Sequence, residues 1–485
     1  MKKHLNKTIL CSLLGLGLLA SGAMAESTMK TDKEFYPYAP SLVKWDKTEA
    51  EFTDPETCGE CHPDKYSEWM GSMHAMAFQD PVYQGELNMA IKAVGHEIAK
   101  QCEGCHTPAA VVLGEIKGAG LQGLSPLAKA GVSCDVCHSI SGHTHWQTPY
   151  HQPENGSMIL SPGKNSEDGA ILTKHGPFAP EEGCGDGFHE CVESPLFLQA
   201  ELCASCHQVF HYESHTPLEA TYMEWKNGPY ANKGVSCQDC HMVDIDTFKR
   251  SADTMVRPKR EEYHHYFNGA NFLLYHLTEL AAKKAGNEEL AASAHQKFEM
   301  AIARLQAAAD MEIMPIYRND RLAEIKVRVK NMRAGHNLPT SLTNIRQMWI
   351  EVTAKDAEGK VIMTTGTVDK KGKLPDDVRL LNSDGQDKGL HFALDPWAIQ
   401  SFARHDTIPP KGYKDVHYGI SAEKGKPVSL EVKLRYRQAD QKVAEKLLGV
   451  VPGDIHLDAI YGITEVPILP IIDMVTKNVT INGEV

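Results

Sequence analysis

One five-residue pattern recurs five times in this chain: Cys58-Gly-Glu-Cys61-His62, Cys102-Glu-Gly-Cys105-His106, Cys134-Asp-Val-Cys137-His138, Cys203-Ala-Ser-Cys206-His207 and Cys237-Gln-Asp-Cys240-His241. With 13 cysteines and 24 histidines in 485 residues, chance would supply on the order of 0.02 such motifs. The pattern is the attachment signature of c-type haem. Two thiols one helical turn apart can each add to a vinyl group on one porphyrin edge, and the adjacent histidine then reaches the iron. Zinc sites would pair cysteines with paired histidines, and disulfides would need no histidine after every second cysteine. The motifs therefore predict five covalently bound haem c groups (iron), with His62, His106, His138, His207 and His241 as proximal ligands. All five fall between residues 58 and 241, too little chain per haem for a conventional core. The porphyrins must form the core, and at that density electrons can pass from one to the next.

The amino terminus places this chemistry outside the cytoplasm. Lys2, Lys3 and Lys7 precede an apolar stretch ending LLGLGLLASG, and Ala23-Met24-Ala25 comes before Glu26, the layout of a cleavable secretory signal. Residues 1–25 are expected to leave, with Cys11, and a periplasmic or secreted protein to start at Glu26. No later segment offers about 20 uninterrupted apolar residues, and VPILPIIDMV is broken by Pro467 and Pro470, so no membrane span is expected. Losing three lysines takes the formal charge from −13 to −16. An acidic surface repels nucleic acid and favours basic redox partners.

The sixth ligand of each iron decides whether it only relays electrons or also binds a substrate. Eighteen histidines remain outside the signal and the motifs, enough to close every iron. The distal candidates are His74 in WMGSMHAMA, His96 before the second motif, His143 or His145 in SGHTHW, and His189 before the fourth. Further ones are His211 and His215 in VFHYESH, His264 or His265 in EYHHYFNGAN, and His336 in AGHNLPT. Met76 and Met242 suit packing better than ligation.

The segment CGECHPDKYSEWMGSMHAMAF resembles the haem-attachment region of the tetrahaem electron-transfer cytochromes that serve hydroxylamine oxidoreductase. GVSCDVCH, GVSCQDCHM, SPLFLQAELCASCHQ and TYMEWKNGPYANKGVSCQDCHM resemble segments of the wider multihaem superfamily, so that the likeness spans about residues 50–250. It implies that His74 ligates the iron of a different haem and that the iron on His106 is the first candidate for an open site. This chain adds a fifth motif and a long carboxy-terminal region. The pentahaem nitrite reductases use Cys-x-x-Cys-Lys at their catalytic haem, and no such motif occurs here.

Cys184 and Cys191, in CGDGFHEC, are left over. In an oxidising compartment they most simply form a disulfide that pins a loop; the alternative is a thiolate beside His189 serving metal or sulfur chemistry. Downstream, residues 258–312 have helical spacing, with NFLLYHLTELAAKK and ELAASAHQKFEMAIARLQAAADM broken at Ala285-Gly286-Asn287. An antiparallel pair is expected, with Leu273, Leu277 and Leu280 on one face against the haem region. From about residue 320, AEIKVRVKNM, RQMWIEVTAKD, KVIMTTGTV and VSLEVKLRYRQ alternate as strands do, with a turn at Ala357-Glu358-Gly359-Lys360. That is the pattern of a β-sandwich.

The expected fold class is a mostly α, loop-rich, haem-packed amino-terminal domain, a helical hairpin and a carboxy-terminal all-β sandwich-like domain. The expected units are 1–25 signal, 26–257 pentahaem domain, 258–318 hairpin and 319–485 β-sandwich. The favoured function is an electron relay in anaerobic or respiratory transport, with redox proteins as donor and acceptor. The alternatives are a reductase or oxidoreductase of a small nitrogen or sulfur compound at one open haem, and a self-associating subunit of a conductive assembly.

Overall fold

Short capped helices hold the motifs. The computed structural model describes residues 43–484, apart from 47, 149, 260–261, 456–457 and 459–460; the expected signal segment 1–25 lies outside the described residues. The first motif closes α1 (Pro55–Cys61), which starts from Asp54, whose side chain accepts a hydrogen bond from the Glu56 amide at 2.9 Å. Helix α2 (Pro81–Val94) leads to α3 (His96–His106), which carries the second motif, and α4 (Cys134–His138) is the third motif itself. The Ser133 hydroxyl caps α4 by accepting from the Val136 amide at 3.3 Å. The fourth motif opens in α5 (Ala200–Ala204), α6 (Thr221–Lys226) follows, and α7 (Gln238–His241) ends on the fifth histidine. Between α4 and α5 a strand pair, β1 (Gly169–Gly176) and β2 (Glu190–Glu193), runs parallel with Lys174 opposite Cys191.

The apolar side chains of this region do not merge into one core. Phe78, Tyr83, Leu87, Ala99 and Ala110 gather at the second motif; Val43, Ile140, Met158 and Leu160 form a separate group; Tyr230, Val235, Val243 and Phe248 form a third.

The hairpin is present as α8 (Leu273–Ala285) and α9 (Glu288–Ala308), divided by Gly286 at φ +72°. That left-handed conformation suits glycine at a helix end. The helical pattern stops at Ala308, earlier than the sequence spacing to residue 312 suggested. Residues 309–318 form β3 (Ala309–Arg318), the first strand of the next layer. Helix spacing and strand alternation coincide over ADMEIM, and pairing with the neighbouring strand decides between them. The expected common face also needs correction: Leu273 and Leu277 are buried, whereas Leu280 is exposed. The hairpin packs chiefly against the carboxy-terminal part, Leu273, Leu274 and Leu277 meeting Ala439, Ala444 and Leu448, while Tyr275, Ala301 and Leu305 join the sandwich core.

That core lies between two antiparallel sheets. One has the order β7 (Tyr413–Gly419), β4 (Arg321–Asn331), β3; the other has β6 (Val361–Thr365), β5 (Gln347–Lys355), β8 (Val428–Arg437), β9 (Ile472–Ile481). Alternate residues Ile325, Val327 and Val329 face Ile350, Val352, Val432 and Leu434. Each such buried side chain contributes about 1.5–3 kcal/mol relative to exposure. The sequence reading did not single out β7, β9 or the helix α10 (Gln441–Leu448), whose buried Val443, Ala444, Leu447 and Leu448 follow helical spacing.

Candidate functional site

The five motif helices approach one another through their cysteines. The motif cysteines lie close enough to perturb one another's ionisation: Cys58 with Cys134, Cys105 with Cys206, Cys203 with Cys237, and Cys137 with Cys203. The motifs thus adjoin in the series first, third, fourth, with the second and fifth both meeting the fourth.

The motif histidines are oriented by their Nδ1 atoms. His106 Nδ1 donates to the Ala77 carbonyl at 2.7 Å, His138 Nδ1 to the His175 carbonyl at 2.6 Å and His241 Nδ1 to the Asn268 carbonyl at 2.9 Å. His207 Nδ1 lies 3.1 Å from the carboxylate of Glu219. A proton fixed on Nδ1 leaves the Nε2 lone pair free for a metal, the arrangement that holds ligating imidazoles in one tautomer.

Three of these rings face a second histidine from elsewhere in the chain. His207 stands opposite His74 with ring centroids 6.3 Å apart, His138 opposite His265 at 6.2 Å, and His241 opposite His336 at 6.2 Å. A metal-to-imidazole bond of about 2.0–2.1 Å, with the ring nitrogen about 1.1 Å from its ring centre, sets two opposed imidazoles about 6.3 Å apart. Two of the facing rings are also oriented through Nδ1: His265 to the Tyr263 carbonyl at 3.0 Å and His336 to the Asn337 carbonyl at 2.8 Å. Burial pushes His74, His241 and His265 down to about 3, so these rings are neutral, as ligands must be. At His207 burial pushes down, but the Glu219 hydrogen bond and charge outweigh it and raise the ring to about 9. Paired cysteines beside opposed imidazoles, His74, His241 and His265 among them neutral, fit haem c.

The other candidates are placed differently. His143 and His145 lie against each other, ring centroids 3.7 Å apart, each with a buried and unpartnered Nδ1, and neither faces a motif histidine. His96 Nε2 is 3.0 Å from Glu103 Oε1, which takes up the nitrogen a ligand would use. His211 corrects the expectation most firmly. Its Nδ1 accepts from the Glu213 and Ser214 amides at 3.1 and 3.2 Å, and its Nε2 donates to the Trp397 carbonyl at 2.9 Å, leaving no nitrogen for iron. His264 turns Nδ1 to Glu68 at 2.6 Å, while its neighbour His265 points to His138. His189 sits in the loop closed by a Cys184–Cys191 disulfide with Cα atoms 6.1 Å apart, so a free thiolate there is ruled out.

Among the described residues no histidine stands at the opposed spacing from His62 or His106. His106 instead has Tyr83 stacked on its ring, centroids 3.7 Å apart and planes within 5°. Two carboxyls act on Cys102 of the same motif: burial raises the half-buried Glu86 to about 7 and the buried Glu103 to about 8. Sequence reasoning missed Tyr83 and Glu219 alike, since neither carries a motif; only the fold brings them to their histidines.

Residues 57–139, which hold the first three motifs, match the family described as cytochrome c554 and c-prime. The fold is similar to that of a penta-heme cytochrome c552 from Thermochromatium tepidum, with a TM-score of 0.56 and 19% identity, covering 89% of this chain and 99% of that one. The family match supports a multihaem c-type cytochrome, and the structural likeness bears on the fold. With that come covalently bound haem c and electron transfer. No match was found among curated proteins. No helix among the described residues is long and apolar enough to cross a membrane.

Proposed function

We propose that this cytochrome carries five haem c groups, belongs to the hydroxylamine oxidoreductase superfamily, and is exported to relay electrons between redox proteins. The observation that carries the reading is the matched ring spacing, in which three motif histidines each face a histidine from another part of the chain at 6.2–6.3 Å. In this reading the ten motif cysteines form the thioether links and the five motif histidines are proximal ligands. His74, His265 and His336 are the sixth ligands opposite His207, His138 and His241.

Bound haem c supplies reversible one-electron chemistry at iron. The chain orients His138, His241, His265 and His336 through Nδ1 hydrogen bonds to backbone carbonyls, and the three facing pairs would hold their irons without leaving room for a small molecule. The nearness of the fourth-motif cysteines to those of the second, third and fifth supports a relay that branches at the fourth motif. A formal charge of −13, or −16 without the leader lysines, favours basic donors and acceptors.

Electron paramagnetic resonance of the oxidised protein, with carbon monoxide added to the reduced form, tests the reading. At least three low-spin irons are expected; high-spin signals from most of the irons would sink it. One observation favours a second reading, an oxidoreductase of a small nitrogen or sulfur compound at the iron on His106. Tyr83 stacks on that histidine, and among the described residues no second imidazole faces it. Its test is whether a high-spin, carbon-monoxide-binding signal is lost in His106→Ala.

A further inference from the structure

A line of polar contacts joins the fourth motif to the loop that presents His336. His207 Nδ1 lies 3.1 Å from Glu219 Oε1, and Thr221 Oγ1 lies 3.4 Å from the same oxygen. Thr221 Oγ1 is 2.8 Å from Thr340 Oγ1, and Thr340 in turn donates to Glu224 Oε2 at 2.6 Å. That carboxylate oxygen also accepts from the Asn337 amide at 3.1 Å, and the Asn337 carbonyl accepts from His336 Nδ1 at 2.8 Å. Thr221 and Glu224 belong to α6, whereas Thr340 and Asn337 belong to the β-sandwich domain, so the line crosses between the two parts of the protein.

Proton counting makes this more than a set of contacts. A threonine hydroxyl has one proton to give and two lone pairs to receive with. Thr340 gives its proton to Glu224, the shorter bond, so its oxygen receives the proton of Thr221. Thr221 then has nothing to give Glu219, which is left to draw on the His207 N–H alone. If Thr340 is lost as an acceptor, Thr221 is free to turn its proton to Glu219, and the pull on His207 weakens. Hydrogen bonds in such a chain polarise one another, and the partner of a ligating imidazole sets its basicity and so tunes the metal.

We propose that Thr221, Thr340, Glu219 and Glu224 are positioning residues that tie together the electronic states of the irons on His207 and on His241, with Glu224 also fixing the loop that aims His336. This rests on the reading of His336 as the ligand opposite His241.

The experiment is a potentiometric titration of the holoprotein, followed by optical and paramagnetic resonance spectra, for the parent chain and for Thr340→Val, Thr340→Ser, Glu219→Gln and His336→Ala. His336→Ala should turn one iron high-spin, which identifies the iron on His241; no change there overturns the ligand reading itself. Glu219→Gln should raise one midpoint potential, which identifies the iron on His207. Thr340→Val should raise that same potential and also shift that of the iron on His241, and Thr340→Ser should restore both. If the ligand reading holds and Thr340→Val moves only the iron on His241, the line is a local clamp and the coupling is overturned. If it moves neither while all haems remain attached, the positioning role falls as well.

Discussion

His241 and His336 stand with ring centroids 6.2 Å apart and planes inclined by only 16°, although one closes the last haem motif and the other lies in the β-sandwich. The His138 and His265 planes differ by 23°, and those of His74 and His207 by 31°. Parallel imidazoles act on one and the same iron d orbital and split its energy from that of its partner, whereas perpendicular imidazoles leave the two nearly equal. All three irons are therefore expected to give rhombic low-spin signals in the oxidised protein. Strongly axial low-spin signals at these irons would mean that the ligand planes are crossed and that the pairs have been misassigned.

Removing a facing ring should open one iron at a time. His74→Ala, His265→Ala and His336→Ala are each expected to convert one low-spin iron to a high-spin, carbon-monoxide-binding state, with the full haem complement retained by mass. His211→Ala should give no new high-spin signal, because both of its ring nitrogens are bonded within the protein. Its cost belongs to stability, about 1–3 kcal/mol for the amides and carbonyl left without partners. A high-spin signal in that variant would restore His211 as a ligand.

The contrast between His211 and His265 marks how far the sequence could be read. Five motifs made the attachment pattern and the absence of one continuous apolar core in that region legible, because thiol and imidazole must sit at fixed spacing to hold one haem. The β-sandwich was legible through strict alternation, as in β4, where Ile325, Val327 and Val329 fall on one face. The facing histidines were not, since ligation depends on where loops far apart in sequence return. His264 and His265 are adjacent and both bond Glu68, His264 through its ring and His265 through its amide, yet only the His265 ring stands against His138. The start of β3 at Ala309 was hidden for a related reason: its strand identity comes from pairing with β4, which local spacing does not encode.

The disulfide between Cys184 and Cys191 closes a short loop beside the parallel pair β1 and β2. Chain-entropy arguments give such a loop about 2–3 kcal/mol at most. Replacing both cysteines with serine should speed amide hydrogen exchange in residues 177–193 while leaving the haem spectra unchanged. A shift in the spectrum of the iron on His138 would show instead that the loop bears on that ligand, whose Nδ1 donates to the His175 carbonyl of β1.

Glu86 offers a pH test with a definite sign. It lies in α2 with one buried, unpartnered carboxyl oxygen, and burial, with the charge of Asp395 adding to it, raises its carboxyl to about 7. In the unfolded chain the same group titrates at about 4.3. Between these values the folded state binds more protons than the unfolded state, so stability falls as pH rises through the window from about 4.3 to about 7 and then levels off. The loss is bounded at about 4 kcal/mol. Glu86→Gln removes the charge without removing the volume. The variant should therefore unfold at higher denaturant concentration than the parent at pH 8 and at nearly the same concentration at pH 4.5, as followed by Trp fluorescence of the β-sandwich, where Trp349 is fully buried. Equal gains at both pH values would assign the effect to packing, and a loss at pH 8 would mean that the ionised carboxylate has a partner in the folded protein.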